Sequence, residues 1–352
     1  LLGLLVLSRI SKNIAFLCKR EVSLSSNESI NGNGIMTFGL SLDLPYILRH
    51  ENIAYIKDDC VYIGDRRSFP FKKDKVCCHD YKECAKAIKD MVTQGGGPLE
   101  VALNAMLLTY MKDKENLGEA QEVLSKARET NTTMKKALSS LMDRYKSGED
   151  FECVVNDIFL SFDIRYDKMS DFGESLIKDG MGILTTCFAE HSFILSLAKA
   201  KEHGKNIRVY VPETRPYFQG AHLTEPSLRE MGIETYLITD AMPAYFMAKG
   251  DIDIYMTASD MALDDRTVVN KTGTLSNAIC SKHFSIPYYA FSAGIDHTKT
   301  IDDIKLEDRD AREIKTYKGV EIADENANAL YPCFDIIPAD LVKGIITEDG
   351  IL

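Results

Sequence analysis

Five short apolar runs in the second half of the chain alternate with helical stretches, and this alternation restricts the fold more than any other feature. GILTT (182–186) precedes ILSLAKAKEHG, and NIRVYV (206–211) precedes LTEPSLREMG. ETYLIT (234–239) precedes AMPAYFMAKG, and IDIYMTA (252–258) precedes TLSNAICSKHF. IPYYAF (286–291) leads into a charged loop region. Runs this short and apolar read as strands buried on both faces, and parallel strands need a crossover long enough to be a helix. The pattern predicts an α/β chain whose C-terminal part is a Rossmann-like doubly wound parallel sheet. In such sheets functional side chains gather at the carboxyl ends of the strands.

The first half reads differently. IAYIKDDCVYIGDRRSFPF (53–71) alternates apolar with polar residues around a DD turn, which predicts a small antiparallel sheet. DYKECAKAIKDMV (80–92) has apolar residues at helical spacing, and TQGGGP (93–98) interrupts it. Pro98 suits the first turn of a second, apolar helix, since its missing N–H would have no partner there. Residues 117–146 and 150–179 read as further helices. The expected organisation is a disordered or non-native extension at 1–35, a small sheet plus helical domain at 36–178, and a catalytic domain at 179–352. The extension rests on SLSSNESINGNG (23–34), a linker-like stretch directly before Met36.

A net charge of −11 argues against nucleic-acid or anionic-membrane partners, which need a basic surface. It leaves room for a small phosphorylated molecule, which needs only a local positive site. The leading apolar run is too short for a membrane span. Nine cysteines, an odd number without a C-x-x-C pair, suggest free thiols in a reducing, cytoplasmic setting. No His/Cys/carboxylate group has metal-ligand spacing along the chain, so no metal and no cofactor is expected.

The residues that follow the strands converge on one rim. Cys187 follows the first. Glu213, Arg215 and Gln219 follow the second, and Thr239 and Asp240 the third. Ser259 and Asp260 follow the fourth, with Asn270, Lys271, Thr272 and Gly273 shortly after. Singly, each has a structural reading: a lone cysteine is ordinarily a core residue, and a strand-end aspartate a turn former. Two helix starts, Gln94-Gly95-Gly96-Gly97 before Pro98 and NKTGT (270–274), offer backbone N–H groups and a dipole to a phosphate. A thiol at the start of the helix after Cys187 would have a lowered pKa.

The segments LTTC, VPETRPYFQGAHLT, ITDAMPAYFM, SDMALDDRTVVNKTGT, LEDRDAREI and PCFDIIPADLVKGIIT occur in this order from 184 to 347. In order and spacing they resemble the methylthioribose-1-phosphate isomerase family. That family is related to ribose-1,5-bisphosphate isomerases and to regulatory subunits of the initiation factor 2B complex. The resemblance implies a homodimeric enzyme that turns an aldose 1-phosphate into a ketose 1-phosphate without metal or organic cofactor. It puts the catalytic cysteine at Cys187 and the catalytic aspartate at Asp260. Substrate contacts fall on Gln219, Asn270 and Lys271.

Three positions depart from the family pattern. TQGGGP stands where RGAP is usual, so an arginine is missing near Gln94. Met261 stands where an arginine usually follows the aspartate. CFAE replaces CNAG, which brings in Phe188 and Glu190. Phe188, Glu190 and Met261 are therefore candidate specificity residues. Phe188, Met242 and Met261 are candidates to line an apolar pocket for a 5-thiomethyl group. The expected substrate is methylthioribose 1-phosphate or a close analogue, with ribose 1,5-bisphosphate or a 5-deoxypentose 1-phosphate as alternatives. The competing class is a non-catalytic regulatory subunit. In the enzyme reading Asp260 and Cys187 share the proton transfers of ring opening and C1/C2 isomerisation, with the division of roles left open.

Overall fold

The computed structural model describes residues 28–30, 36–38, 44–128, 132–304, 306 and 309–352. Most of the expected N-terminal extension, 1–27 and 31–35, lies outside these residues. Within it, β1 (Glu28–Ile30) pairs antiparallel with β2 (Met36–Phe38).

The first sheet forms as its alternation predicts. β3 (Ala54–Lys57) and β4 (Cys60–Gly64) make a hairpin across Asp58 and Asp59, both with positive φ, as a two-residue hairpin turn requires. β5 (Lys75–Cys78) adds to the other edge of β4. It lies beyond the 53–71 stretch that carried the sequence signal, because KVCC is too short to show a period.

α1 (Tyr81–Lys89) starts at Asp80, whose carboxylate accepts the N–H groups of Lys82 and Glu83 at 2.8 and 2.9 Å. α2 (Gly97–Lys112) is apolar over most of its surface, Glu100 and Asn104 apart, and is buried from Gly97 to Thr109. A helix so largely apolar must sit inside; α1, α3 (Leu117–Lys126), α4 (Thr132–Lys146) and α5 (Phe151–Leu176) pack around it. One hydrophobic cluster, spanning Ile53 to Phe159, fills this part. A polar stitch crosses it. The His50 ring bonds Glu100 Oε2 of α2 at 2.8 Å and Asp163 Oδ2 of α5 at 3.3 Å. Burial opposes a charge on His50, but the two carboxylates outweigh it and hold its pKa well above the ordinary value.

The second part runs β6 (Gly182–Leu184), α6 (Glu190–Glu202), β7 (Arg208–Pro212), α7 (Glu225–Glu230), β8 (Glu234–Ile238), α8 (Pro243–Lys249) and β9 (Ile254–Ala258). It continues with β10 (Met261–Ala262), β11 (Val268–Lys271), α9 (Thr274–His283), β12 (Tyr288–Phe291), β13 (Phe334–Ile337), β14 (Gly344–Thr347) and β15 (Gly350–Ile351). The large sheet has the order β15-β14-β12-β9-β6-β7-β8, parallel except for β15. The chain moves outward from β6 to β8, then returns to β9 and builds the other way. This reversal makes the sheet doubly wound. Alternate strand residues face two cores: Ile183, Val209 and Met256 meet α6 and α7, while Leu184, Tyr210 and Tyr255 meet α8 and α9. β10, β11 and β13 form a separate antiparallel sheet.

Among the described residues seven cysteines carry free thiols, whereas Cys153 is disulfide-bonded, against the expectation of free thiols throughout; no spacing in the sequence marks it for pairing. Among the described residues no helix is long and apolar enough to cross a membrane.

Candidate active site

The reversal of strand order lies between β6 and β9, which pair directly with Ile183 opposite Ile254 and Leu184 opposite Tyr255. Continuing that register sets Cys187 level with Ala258. The residues just past both strands therefore face one crevice, where an open α/β sheet binds ligands. A cavity opens there, and Cys187, Phe188, Ser259 and Asp260 all line it.

Cys187 is held in an unusual backbone conformation, with φ of 65°. A non-glycine residue in this left-handed region is strained by about 1–3 kcal/mol, so the surroundings must fix it. Two threonines do so. Thr214 Oγ1 accepts the Cys187 N–H at 3.1 Å, and Thr224 Oγ1 donates to the Cys187 carbonyl at 2.6 Å. Thr214 is itself at φ 63°, and its N–H donates to Asp240 Oδ1 at 2.8 Å. Asp240 Oδ2 accepts the Arg215 N–H at 2.8 Å, so Asp240 organises the turn and does not line the cavity. Below the strand end, Thr186 Oγ1 meets the Tyr255 hydroxyl at 2.6 Å and Asn277 Nδ2 at 3.1 Å.

Burial pushes the Cys187 thiol up to about 11; the nearby Lys271 charge and the Phe188 backbone N–H oppose this without overcoming it, and Asp260 adds to it. The lowered pKa expected from the helix start is therefore corrected. Desolvation of a thiolate outweighs the partial charge of one helix end. Cys187 enters any reaction near neutral pH as a thiol.

Asp260 lies at the junction of this cavity and a neighbouring one, and its residue is exposed. Its backbone N–H donates to the Val269 carbonyl at 2.9 Å, which ties the β9 end to β11.

The Gln94 turn reaches the cavity with Gln94, Gly95 and Gly96. Gly95 has φ of 63°, a conformation that favours glycine. Gly97 does not line the cavity. A Cβ there would sit 2.0 Å from Thr93 Oγ1, so this glycine serves the packing of the α2 start. Arg66 anchors the turn through the Gln94 carbonyl and lies over the Phe188 ring at 5.3 Å. Gln219 and Asn270 also line the cavity. The Oε1 atoms of Gln94 and Gln219 are buried and have no hydrogen-bond partner among the described residues. Buried polar atoms are normally paired, so two orphans facing one cavity point to a polar ligand.

Other expected residues have surroundings the sequence did not show. Lys271 is buried, close enough to Cys187 and Asp260 for their charges to interact. Its Nζ donates to the Tyr331 hydroxyl at 2.8 Å and sits among the rings of Tyr217, Tyr331 and Phe334. The α9 start is not open to a phosphate, since Asp335 Oδ2 accepts the N–H groups of Gly273 and Leu275 at 2.8 and 2.9 Å. The carboxylate lies distant in sequence, on β13, so NKTGT alone gave no sign of it. Met261 lines the neighbouring cavity. Met242 is 43% exposed and lines neither, because it follows an edge strand. The Glu190 backbone starts α6; its side chain lies outside the described residues. Arg215 donates to the Ile314 carbonyl at 2.9 Å, and Glu213 does not line the cavity.

Several lining residues carried no sequence signal. Arg128 follows α3, and Thr133, Tyr166 and His191 come from α4, α5 and α6. Tyr166 and His191 stack with centroids 4.8 Å apart. Arg128 is a cation in the cavity of a chain whose Gln94 turn lacks one.

The initiation factor 2 subunit family profile matches residues 85–352. A putative methylthioribose-1-phosphate isomerase of Methanocaldococcus jannaschii is 35% identical over 297 residues, covering 82% of this chain and 90% of the relative. Methylthioribose-1-phosphate isomerase 1 of Pseudothermotoga lettingae is 33% identical over 318 residues, covering 82% and 91%. Among solved structures, translation initiation factor eIF-2B subunit delta from A. fulgidus matches with a TM-score of 0.73 and 28% identity, over 88% of this chain and 96% of that one. The 5-methylthioribose 1-phosphate isomerase from Pyrococcus horikoshii OT3 matches with a TM-score of 0.75, over 85% and 91%; at 24% identity that likeness is one of fold. The chain thus belongs to the initiation factor 2 subunit family and is similar over most of its length to methylthioribose-1-phosphate isomerases.

Proposed function

We propose that this chain is an aldose–ketose isomerase that converts a pentose 1-phosphate, methylthioribose 1-phosphate or a close analogue, into the ketose 1-phosphate. The observation that carries this reading is the convergence of Cys187 and Asp260, from adjacent strands, on one cavity with two orphaned amide oxygens. The isomerase names of the curated relatives support the same reaction class.

The chemistry follows from the substrate. Phosphate on the anomeric oxygen locks the sugar as a ring. The C1–ring-oxygen bond must break, and the ring oxygen must gain a proton. Hydrogen then passes from C2 to C1, and the 2-hydroxyl loses its proton as it becomes the ketone. One acid and one base serve the two oxygens. Cys187 holds its proton at neutral pH and serves as the acid at the ring oxygen. Asp260, which lines the same cavity, acts as the base at the 2-hydroxyl. Gln94, Gln219 and Asn270 bind hydroxyls and phosphate oxygens, with the α2 start and Arg128 supplying positive potential. Met91, Leu99, Met169 and Phe188 line the same cavity and suit a thiomethyl group.

A second reading, ribose 1,5-bisphosphate as substrate, rests on one feature. Met91 and Gln94 are shared with an adjoining cavity whose five cations, Arg66, Arg67, Lys89, Arg309 and Lys318, outnumber its two carboxylates, Asp90 and Glu313, and would take a second phosphate. We also carry the homodimer into this proposal. Among the described residues β8 pairs only with β7, and Tyr236, Leu237 and Tyr245 beside it are exposed. Sedimentation of the full chain checks it.

Cys187→Ser and Asp260→Asn should each lower turnover by about 10²–10⁴-fold. Near-normal turnover in either variant removes that residue from the mechanism.

A further inference from the structure

Cys60 lies 17 residues before Cys77, with His79 two residues further on, and no motif spacing marks them. The register of β4 and β5 brings them together. Val61 lies opposite Cys78 and Tyr62 opposite Cys77, so one further step sets Cys60 opposite His79. Side chains alternate along a strand. Cys60, Cys77 and His79 thus share one face, while Cys78 turns into the core on the other. Their ligand atoms all lie within 4.8 Å of one another. In a tetrahedral site with bonds of about 2.0–2.3 Å, ligands stand roughly 3.3–3.8 Å apart, so a small inward adjustment completes the cage. The two thiols are free.

Two further contacts suit a metal. Glu83 Oε2 takes the His79 Nδ1 at 3.1 Å and the His79 backbone N–H at 2.7 Å. A carboxylate on one ring nitrogen orients the imidazole and leaves Nε2 to ligate. Lys112 Nζ donates to the carbonyls of Asp59 at 2.6 Å and His79 at 3.0 Å. This ties the two strand ends and places a positive charge beside the sulfurs.

We propose that Cys60, Cys77 and His79 bind one borderline-soft cation of the zinc class, with Glu83 orienting the imidazole and water as the fourth ligand. Two thiolates and one imidazole select such an ion over magnesium or calcium. None of the three residues lines the Cys187 cavity, so the ion clips β4 to β5 and takes no part in the isomerisation.

The test uses the full chain, reduced and stripped of metal, titrated with cobalt(II) chloride as a spectroscopic probe. Saturation at about one equivalent is expected, with thiolate-to-cobalt charge transfer in the near ultraviolet and the intense visible bands of a tetrahedral site. Zinc chloride should bleach both. Cys60→Ser and Cys77→Ser should each weaken the charge-transfer band. His79→Gln changes an exposed side chain. It should leave the metal-free melting temperature unchanged and weaken binding by about 10-fold or more. Cys280→Ser should leave the spectrum intact. No stoichiometric binding, or a spectrum unchanged in both Cys77→Ser and His79→Gln, overturns the proposal.

Discussion

Thr224 Oγ1 donates a 2.6 Å hydrogen bond to the carbonyl of Cys187, the residue the chain holds at φ 65°. The bond fixes the thiol's direction from behind, while Thr214 grips the N–H of the same residue. Thr224→Val keeps the volume and removes the donor. It should lower kcat about 10-fold with little change in KM, because a strained residue that relaxes misplaces its side chain. Steady-state kinetics with a melting curve check this. A loss confined to KM contradicts it.

The raised Cys187 pKa sets its reactivity. Alkylation needs thiolate, so at pH 8 a thiol of pKa about 11 should react about 100-fold more slowly than an ordinary one. The rate should keep rising with pH through about 11. Mass-spectrometric timing of iodoacetamide labelling at Cys187 reads this directly. Rapid labelling at pH 7 would show a thiolate and exchange the acid and base roles.

Arg128 stands in the cavity where the Gln94 turn lacks a cation. Arg128→Gln should raise KM for a pentose 1-phosphate about 10-fold or more, as expected for loss of a charge-assisted phosphate contact. Inorganic phosphate should also inhibit the variant less than the parent. Equal KM and equal inhibition would assign Arg128 to the surface.

His50 contributes stability through its charge. Its folded pKa is raised, so the contribution is complete below the ordinary value near 6.5 and disappears as pH rises through the folded value. Urea unfolding of the parent should show this alkaline loss, and His50→Gln should lack it. Removing one member of a buried pair costs about 3–5 kcal/mol, so the variant should be less stable by that order at pH 6. Parallel pH profiles would contradict the account.

Much of this was legible in the sequence, for local reasons. The apolar runs located β6 to β9 and β12 because buried parallel strands are short and apolar. Their carboxyl ends then gave Cys187, Gln219 and Asp260. β13 and β14 were missed as strands because FDII and GIIT are four residues long, with only the 3-10 turn Ala339–Leu341 between them. The surroundings of Lys271 and of the α9 start were not legible for one physical reason: their partners, Tyr331 and Asp335, arrive from about 60 residues away. Arg128, Tyr166 and His191 come from three helices, and only tertiary packing brings them to the cavity. The Cys60–Cys77–His79 group was hidden in the same way, since strand register and not spacing assembles it.

The central claim is catalysis of pentose 1-phosphate isomerisation at Cys187 and Asp260. NMR of the protein incubated with methylthioribose 1-phosphate, ribose 1,5-bisphosphate and 5-deoxyribose 1-phosphate tests it most directly. The account predicts a ketose carbon signal with at least one of these substrates, absent with Cys187→Ser and with Asp260→Asn. Saturable binding of all three without any ketose would contradict it and mark the chain as a binding subunit.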